Sequence, residues 1–531
     1  MKLRTTSCLV GVGFAGGLAV CYCFAIWPQC SWLASNAPRA QPFSDADVDV
    51  HAYPRRSRSA QLMATRDSSP GRPSEAVVYS IIVDCGSSGS RAHIYHWSHD
   101  DRAMVAEFLP PSAADEAALK VRPGIGALLG AVTANVSAMD DYLLPLLHRA
   151  RQWAPSGRVL GVRLLATAGM RLLSADEQET IWAAVRRTLR APQSAQSFRL
   201  LGAMTISGNY EGVFGYLAVN HIVRSQRGES SKSDMGSLDL GGASTQITFQ
   251  PAPTLSPHAD ILADGYRVNL SGASRVLYSH SFMRSGDTQA WLRLARLLLS
   301  RSDTGASTTP VSHPCLHRGH EARIDGHAFV GTGDWRACST HAQQLLHIDY
   351  ECLQQPCALA GVYQPRVRGV TFVAFSGFFH IVHGLGLTTG DVWKGTVGEI
   401  ARAGEALCEQ TWSLLLETHP WRSSPAHMQH LCFGAAYIEG LLRGYGFSEP
   451  SAQLTFARKL AGYAVEWPLG AQIFYNTDPH HRDERLEEEA EASDEAEEDV
   501  VRGLPRRSRQ LRRRRRMRRR IRRLGGDYPY I

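Results

Sequence analysis

Val83-Asp-Cys-Gly-Ser-Ser-Gly-Ser-Arg91 is a glycine- and serine-rich stretch that returns in degenerate form as Leu238-Asp-Leu-Gly-Gly-Ala-Ser-Thr-Gln246. Each copy follows one apolar run and leads into another, which predicts a strand, a tight turn and a second strand. A single copy is explained as an ordinary structural hairpin, because Gly/Ser turns after strands are common. Two copies in one chain instead predict two similar lobes that hold a common ligand between them.

The residues of both turns suit phosphate oxygens. Glycine lets the backbone approach a ligand closely, and turn N–H groups and hydroxyls donate hydrogen bonds. Arg91, directly after the first turn, either neutralises phosphate charge or pairs within its own lobe. Asp84 and Asp239 would face each other and hold a hydrated Mg²⁺ or Ca²⁺. The predicted phosphate-binding residues of the two turns are Gly86, Ser87, Ser88, Gly89, Gly241, Gly242, Ala243 and Ser244.

Further segments follow in the order of a known family's motifs. They are Leu164–Arg171, Ile206–Tyr216, Phe375–Phe379, Cys432–Ile438 and Glu466–Gly470. With the two hairpins they resemble the nucleoside triphosphate diphosphohydrolase (apyrase) family over roughly residues 77–474, and Asp84–Arg91 is most similar to its Golgi/endomembrane, UDPase-like branch.

The resemblance implies a fold and an activity. The fold is α/β, with two actin-like (RNase H-like) lobes and the nucleotide in the cleft between them. The activity is divalent-metal-dependent hydrolysis of the terminal phosphates of nucleoside di- and triphosphates. The branch implies a role in the secretory-pathway lumen, in support of glycosylation.

Glu211 is the predicted general base. It lies at the start of a predicted helix, where capping and the helix macrodipole offer an ordinary explanation for a carboxylate. The family resemblance implies instead that Glu211 orients and deprotonates the attacking water.

Other roles are implied by matches to the family's motifs. They are water positioning by Ser244 and Gln246, contact with the terminal phosphate by Thr167, contact with the metal's water shell by Trp467, and nucleobase stacking by Phe379 and Tyr437. Trp467, Phe379 and Tyr437 are also explained as core aromatic residues. Arg171 would support the loop after Thr167, and His280 is interpreted as structural.

The composition fits a large enzyme with appended ends. The chain has 531 residues, 44% hydrophobic and 20% charged, which is enough for two packed domains. Most of its net charge of +7 lies in the arginine-rich tail, so the body is nearly neutral and offers no large basic face for nucleic acid. Across a membrane, such a tail would contact acidic partners or lipid headgroups.

The N-terminal stretch predicts a membrane anchor. Cys8–Trp27 carries no charge, is of bilayer length, and follows Lys2 and Arg4. We expect a single-pass type II protein of the Golgi or another endomembrane, with its catalytic domain in the lumen. The cell surface is the alternative location, and a cleaved signal peptide is the alternative reading of the stretch.

The predicted domain boundaries follow from these patterns. They are 1–35 for a cytoplasmic stub and transmembrane anchor, 36–76 for a flexible stem, 77–207 with 455–478 for the first lobe, 208–454 for the second lobe, and 479–531 for a disordered acidic, then Arg-rich tail.

Cysteines and sequons point to the same compartment. Six of the eleven cysteines lie in the second half of the chain, and an even number in an oxidising compartment predicts disulfides with many allowed pairings. A zinc site is the alternative, but the spacings lack paired Cys-x-x-Cys. Cys85 is predicted to be a small buried thiol. The family resemblance implies the pairs Cys315–Cys338, Cys352–Cys357 and Cys408–Cys432, and the sequons predict glycosylation at Asn135 and Asn269.

Three rival functions remain at this stage. A sugar kinase or exopolyphosphatase would share the fold, although membrane anchoring and disulfides argue against it. A catalytically inactive apyrase-like receptor or scaffold would act through its Arg-rich tail. An anchored RNA-binding protein fits poorly with the nearly neutral body.

Overall fold

The computed structural model describes residues 77–98, 105–108, 112–154, 159–191, 198–227, 234–251, 265–270, 273–302, 309–352, 355–447 and 454–477. The predicted anchor, stem and tail lie outside these residues. Among the described helices, none combines the length and the apolar character needed to cross a bilayer.

The first sheet is built from strands of the first half of the chain: β1 (Val77–Cys85), β2 (Ser90–Ser98), β3 (Ala106–Phe108), β4 (Lys120–Val121), β5 (Val159–Ala166) and β6 (Leu200–Thr205). Their order is β3-β2-β1-β5-β6, and β4 pairs with β2. β1 and β2 form an antiparallel hairpin, whereas β5 runs parallel to β1 and β6 runs parallel to β5.

The later strands are β7 (Gly236–Leu240), β8 (Ser244–Phe249), β9 (Tyr266–Leu270), β10 (Ala273–Met283), β11 (Val311–His313), β12 (Glu321–Ile324), β13 (His327–Gly331), β14 (Phe372–Ser376), β15 (Val392–Gly395), β16 (Leu454–Ala457), β17 (Lys459–Leu460) and β18 (Tyr463–Ala464). The second sheet has the order β15-β16-β14-β7-β8-β10-β9. β11–β13 and β17–β18 form two small separate sheets.

Both large sheets repeat one arrangement. The hairpin β7–β8 is antiparallel, and β14 and β16 follow β7 as parallel strands, just as β5 and β6 follow β1. This repeat confirms the prediction of two similar lobes. The boundary predicted between residues 454 and 455 falls inside β16, which pairs with β14 and β15 of the second sheet.

The helices of the described residues are α1 (Ala113–Ala117), α2 (Leu129–Ala134), α3 (Ala138–Gln152), α4 (Ala168–Arg171), α5 (Ala175–Arg190), α6 (Gly208–Arg227), α7 (Asp287–Arg301), α8 (Trp335–Leu346), α9 (Gly377–Gly384), α10 (Val397–Cys408), α11 (Trp412–Thr418), α12 (Pro425–Met428), α13 (Leu431–Gly444) and α14 (Trp467–Thr477). Ile125–Leu128 and Leu359–Gly361 are short 3₁₀ segments.

Helices α6 and α14 share a hydrophobic core with both large sheets. This core joins Ile82 of β1 and Phe375 of β14 to Phe214 of α6 and Leu469 of α14. The two helices pack at backbone contact, since a Cβ at Gly470 would overlap the carbonyl oxygen of Phe214. Each large apolar side chain buried there contributes about 1.5–3 kcal/mol to the free energy of unfolding.

Glycines let α6 lie close against the second sheet. A Cβ at Gly208 would overlap Ser281 Oγ of β10, and a Cβ at Gly212 would overlap Thr248 Oγ1 of β8. Because these glycines lie one helical turn apart, they share a face of α6. The close packing fixes the first turn of α6 relative to β8 and β10.

The three disulfides implied by the resemblance are present: Cys315–Cys338, Cys352–Cys357 and Cys408–Cys432. Cys85 is a buried free thiol, as predicted. The side chains of Asn135 and Asn269 are exposed.

Two fully buried histidines lie near the disulfides of the second lobe. Burial lowers the pKa of His313 to about 3 and that of His317 to about 4. Unfolded, each would have a pKa near ~6.5. Below that pH the unfolded chain therefore binds protons that the folded chain does not, and stability falls as the pH falls.

We expect His317→Gln to weaken the pH dependence of unfolding. Between pH 6 and pH 4.5, the free energy of unfolding of the unmodified chain falls as the pH falls. In His317→Gln we expect the slope of this fall to be smaller by about 1.4 kcal/mol per pH unit. Urea titrations across this range measure the difference. The exposed His327 provides the matched control, because His327→Gln should leave the slope unchanged. Equal slopes for His317→Gln and the unmodified chain would contradict the prediction.

Candidate functional site

The turns of the two hairpins lie face to face. A Cβ placed on Gly242 in the second turn would lie 2.8 Å from Ser87 Oγ in the first. Behind the first turn, a Cβ on Gly169 would lie 2.6 Å from Ser87 Cα. We call the space between the two turns the cleft. The predicted phosphate-binding residues of both lobes therefore come together at its edge.

The start of α7 supports the second turn. The backbone N–H of Asp287 donates to the carbonyl of Gly241 (2.9 Å), and that of Gln289 donates to the carbonyl of Gly242 (3.0 Å). Gly286 leaves room for the turn, since a Cβ there would overlap the backbone nitrogens of Ala243 and Ser244.

Thr167 lies beside the first turn. Its backbone N–H donates to the carbonyl of Cys85 at 3.3 Å, and its side chain is buried. It directly follows β5, which pairs in parallel with β1, so both strands end at the same edge of the first sheet. This placement agrees with the predicted contact between Thr167 and a terminal phosphate.

Glu211 is the centre of a buried hydrogen-bond network. Its Oε2 accepts from Arg171 Nη2 (2.8 Å) and from Gln246 Nε2 (3.1 Å). Gln246 Nε2 also donates to Ser244 Oγ at 2.7 Å, and Arg171 Nη2 lies 3.2 Å from the same hydroxyl. The structure thus brings together Glu211, Ser244 and Gln246, the three residues predicted to activate and position water.

The charge state of Glu211 reflects two opposing effects. Burial raises its pKa, while Arg171 lowers it by charge and by hydrogen bonding, and the net shift is upward. Within the described residues, no donor bonds to Oε1, so that oxygen is available to a water molecule. The helix macrodipole also favours a carboxylate in the first turn of α6, but it does not explain the contacts with Arg171 and Gln246.

Asp84 and Asp239 are acidic groups without a close cation. The pKa of Asp84 is raised to about 7 and that of Asp239 to about 8, chiefly by burial, with a further contribution from the negative charge of Glu211 included in both values. Asp84 Oδ1 is buried, and no donor among the described residues bonds to it. A buried Asp84 oxygen without a donor, close to the negative charge of Glu211, suits a hydrated divalent cation. The residues present therefore fit Mg²⁺ or Ca²⁺.

Arg91 does not extend into the cleft. Its guanidinium pairs with the carboxylate of Glu116 at 2.8 Å and with that of Glu466, just before α14. Of the two alternatives for Arg91, this arrangement supports pairing within the protein over phosphate binding.

The predicted aromatic contacts lie in the cores. Trp467 is 6% exposed and stacks on Phe214, with ring centroids 6.2 Å apart. Phe379 and Tyr437 are 3% and 0% exposed, and the Tyr437 hydroxyl donates to the carbonyl of Ser285. The burial of all three agrees with the core interpretation, and nucleobase stacking by Phe379 and Tyr437 stays a prediction.

Several contributing residues were not predicted. Arg171 was expected only to support its loop, yet it also pairs with Glu211. Ser281 Oγ accepts from Gln246, and Asn209 Oδ1 accepts from the backbone N–H of Ser281. Asn209 lies inside the motif Ile206–Tyr216, so the motif marked it as a candidate residue. Nothing in the local pattern predicted its contact with Ser281 of β10.

Most of the chain is similar to known proteins. It matches the GDA1/CD39 (nucleoside phosphatase) family over residues 72–489. It is 33% identical to human ectonucleoside triphosphate diphosphohydrolase 2 over 442 residues, covering 76% of this chain and 83% of that protein. It is 29% identical to probable apyrase 5 of Arabidopsis thaliana over 423 residues, covering 75% and 82%.

A solved structure shares the fold. The structure described as nucleoside triphosphate hydrolases from Neospora caninum aligns with a TM-score of 0.52 and 16% identity, covering 79% of this chain and 95% of that one. This likeness supports the two-lobed, actin-like architecture expected from the hairpins. Because the family match spans most of the sequence and includes both hairpins and the Glu211 network, the chain belongs to the GDA1/CD39 (nucleoside phosphatase) family.

Proposed function

We propose that this protein hydrolyses the terminal phosphates of nucleoside di- and triphosphates with a bound Mg²⁺ or Ca²⁺. Its family membership makes it a hydrolase of phosphoric anhydride bonds. The assignment of the catalytic residues rests above all on the buried network in which Glu211 contacts Arg171 and Gln246 next to the two facing turns.

The two turns would bind the phosphate chain. Ser87 and Ser244 supply hydroxyls, and the glycines let backbone N–H groups approach the oxygens. Thr167 lies beside the first turn and would contact the terminal phosphate, which is the group transferred to water. Positioning and charge stabilisation provide most of the catalysis in phosphoryl transfer, because the protein forms few covalent bonds in the reaction.

Glu211 would accept a proton from the attacking water. Arg171 and Gln246 hold its Oε2, which fixes the carboxylate and leaves Oε1 to accept the proton. Burial raises the pKa of Glu211, which makes the carboxylate a stronger base than an exposed glutamate. Ser244 and Gln246 contact each other and would orient the same water.

Asp84 and Asp239 would hold the cation through its water molecules. When bound, the cation supplies positive charge against the phosphate oxygens and the buried carboxylates. Its charge would also lower the pKa values of both aspartates, which are raised in its absence.

We also assign the protein to the lumen of the Golgi or another endomembrane, as a single-pass type II protein. The uncharged stretch Cys8–Trp27, which lies outside the described residues, supports an anchor. The three disulfides and the exposed Asn135 and Asn269 suit an oxidising, glycosylating compartment.

Alkaline carbonate extraction tests the anchor. We expect the full-length protein to remain in the membrane pellet, because Cys8–Trp27 is long enough to span a bilayer. A soluble mature form beginning after Ala37 would show that the stretch is a cleaved signal peptide.

A phosphate-release panel tests the activity. The purified ectodomain should release phosphate from UDP, GDP, ADP, UTP or ATP when Mg²⁺ or Ca²⁺ is present, and should lose that activity in EDTA. Activity restored by adding back the cation would exclude damage by the chelator. Absence of release from every nucleotide with either cation would favour the inactive receptor instead.

Replacing Glu211 tests the general base. We expect Glu211→Gln to lower kcat by about 10²–10⁴-fold, with nucleotide binding largely retained, because the amide cannot accept the proton. Steady-state kinetics and equilibrium binding measure the two effects. Glu439→Gln is the matched control, since Glu439 is similarly buried and paired with an arginine but lies in α13. Near-normal turnover in a folded Glu211→Gln protein would return Glu211 to a helix-terminus role.

A further inference from the structure

The hairpin β1–β2 places a basic side chain opposite the metal-binding aspartate. In its antiparallel register, Asp84 pairs with Arg91. Directly opposed residues share one face of a sheet, and opposite charges in such pairs attract each other. The ordinary outcome would therefore be an ion pair between Asp84 and Arg91. Such a pair would neutralise the carboxylate that the cation requires.

The ion pair does not form. Arg91 and Asp84 both belong to the described residues, yet no oxygen of Asp84 lies within ion-pair distance of the guanidinium. Arg91 Nη1 contacts Glu466 Oε1, and Arg91 Nη2 contacts Glu116 Oε1. Asp84 Oδ1 stays buried without a donor.

Glu466 is well placed to hold the guanidinium. It directly precedes α14, so its position is fixed by the helix that packs between the two sheets. Its Oε2 lies 3.4 Å from His93 Nδ1, which contacts Glu107 at 2.8 Å. The side chain of Glu466 is 29% exposed, against 44% for Glu116. Because exposed ion pairs are weak, Glu466 is the stronger of the two partners.

We propose that Glu466 is a positioning residue that holds the Arg91 guanidinium away from Asp84, and so keeps the Asp84 carboxylate available to the hydrated cation. The identity of the ligand rests on the proposed function. Without the Glu466 charge, the guanidinium would lose its less exposed partner and would be free to turn toward Asp84, which lies directly across the strand pair. The guanidinium would then compete with the cation.

Calorimetric titration of the full ectodomain with Ca²⁺, without nucleotide, tests the proposal. We expect Glu466→Gln to weaken Ca²⁺ binding by about 10-fold, because an arginine beside a carboxylate opposes a second cation. The double variant Arg91→Gln/Glu466→Gln should recover the affinity of the unmodified protein, since the competing guanidinium is gone. Glu116→Gln, which removes the more exposed partner, should change the affinity less than about 3-fold.

Kinetics separate positioning from general damage. In Glu466→Gln, the Ca²⁺ concentration for half-maximal activity should rise about 10-fold, while kcat at saturating Ca²⁺ stays within about 2-fold. If Glu466→Gln does not fold, Glu466→Asp keeps the charge with a shorter reach, and we expect it to weaken Ca²⁺ binding by about 3-fold.

Two results would overturn the proposal. The first is unchanged Ca²⁺ affinity in folded Glu466→Gln, or in Glu466→Asp if only that variant folds. The second is a double variant that binds Ca²⁺ no better than Glu466→Gln. Asp84→Asn and Asp239→Asn serve as reference variants for a lost cation site. If the unmodified protein binds no Ca²⁺ or Mg²⁺, the metal assignment itself fails. If only the two aspartate variants lose binding, the metal assignment stands and the role of Glu466 does not.

Discussion

The buried ion pair between Arg171 and Glu211 is the constraint on which the arrangement of the site depends. The two side chains are 2% and 8% exposed. Removing one partner from such a pair costs about 3–5 kcal/mol, because the other charge is left buried alone. Arg171 follows β5 of the first sheet, whereas Glu211 begins α6 and bonds Gln246 of the second. The pair therefore fixes the relative positions of three segments that are far apart in sequence.

The glycines of α6 show how local sequence and tertiary structure agree. Gly212, one turn inside α6, weakens a helix in isolation by about 1 kcal/mol relative to alanine, whereas Gly208 is its first residue. Here they allow the helix to pack against hydroxyl groups of β8 and β10. Only at that distance does Glu211 reach Gln246. The cost in helix propensity is thus offset by the position that the carboxylate gains.

The parts of the fold that could be predicted were those with a local or repeated signal. An apolar run that ends in aspartate and is followed by glycines predicted each of the two hairpins. The repetition of this pattern predicted two lobes with the same strand arrangement. The residues around Glu211 were found because they lie in motifs that resemble one family. The partners of Arg91 could not be found in this way, because Glu466 lies 375 positions later in the chain.

Aromatic residues exposed another limit of sequence reasoning. Phe379 and Tyr437 lie in short apolar helices, where most positions are hydrophobic and periodicity does not distinguish a ring in the core from one at a ligand site. In the folded protein both rings are buried, which agrees with a place in the core. The sheet to which β16 belongs could not be predicted either, because its own four residues do not indicate its pairing with β14 and β15.

The position of α14 in the chain has a consequence for biosynthesis. Ile82 and Leu165 of the first sheet belong to the same core as Leu469, so the apolar surface of strands made early is covered by the last helix of the described residues. During translation, this apolar surface of the first lobe therefore stays exposed until residue 477 has left the ribosome. Chains in that state are prone to aggregate. Chaperone occupancy on the nascent chain should consequently persist through synthesis of the whole second lobe and fall only when α14 docks.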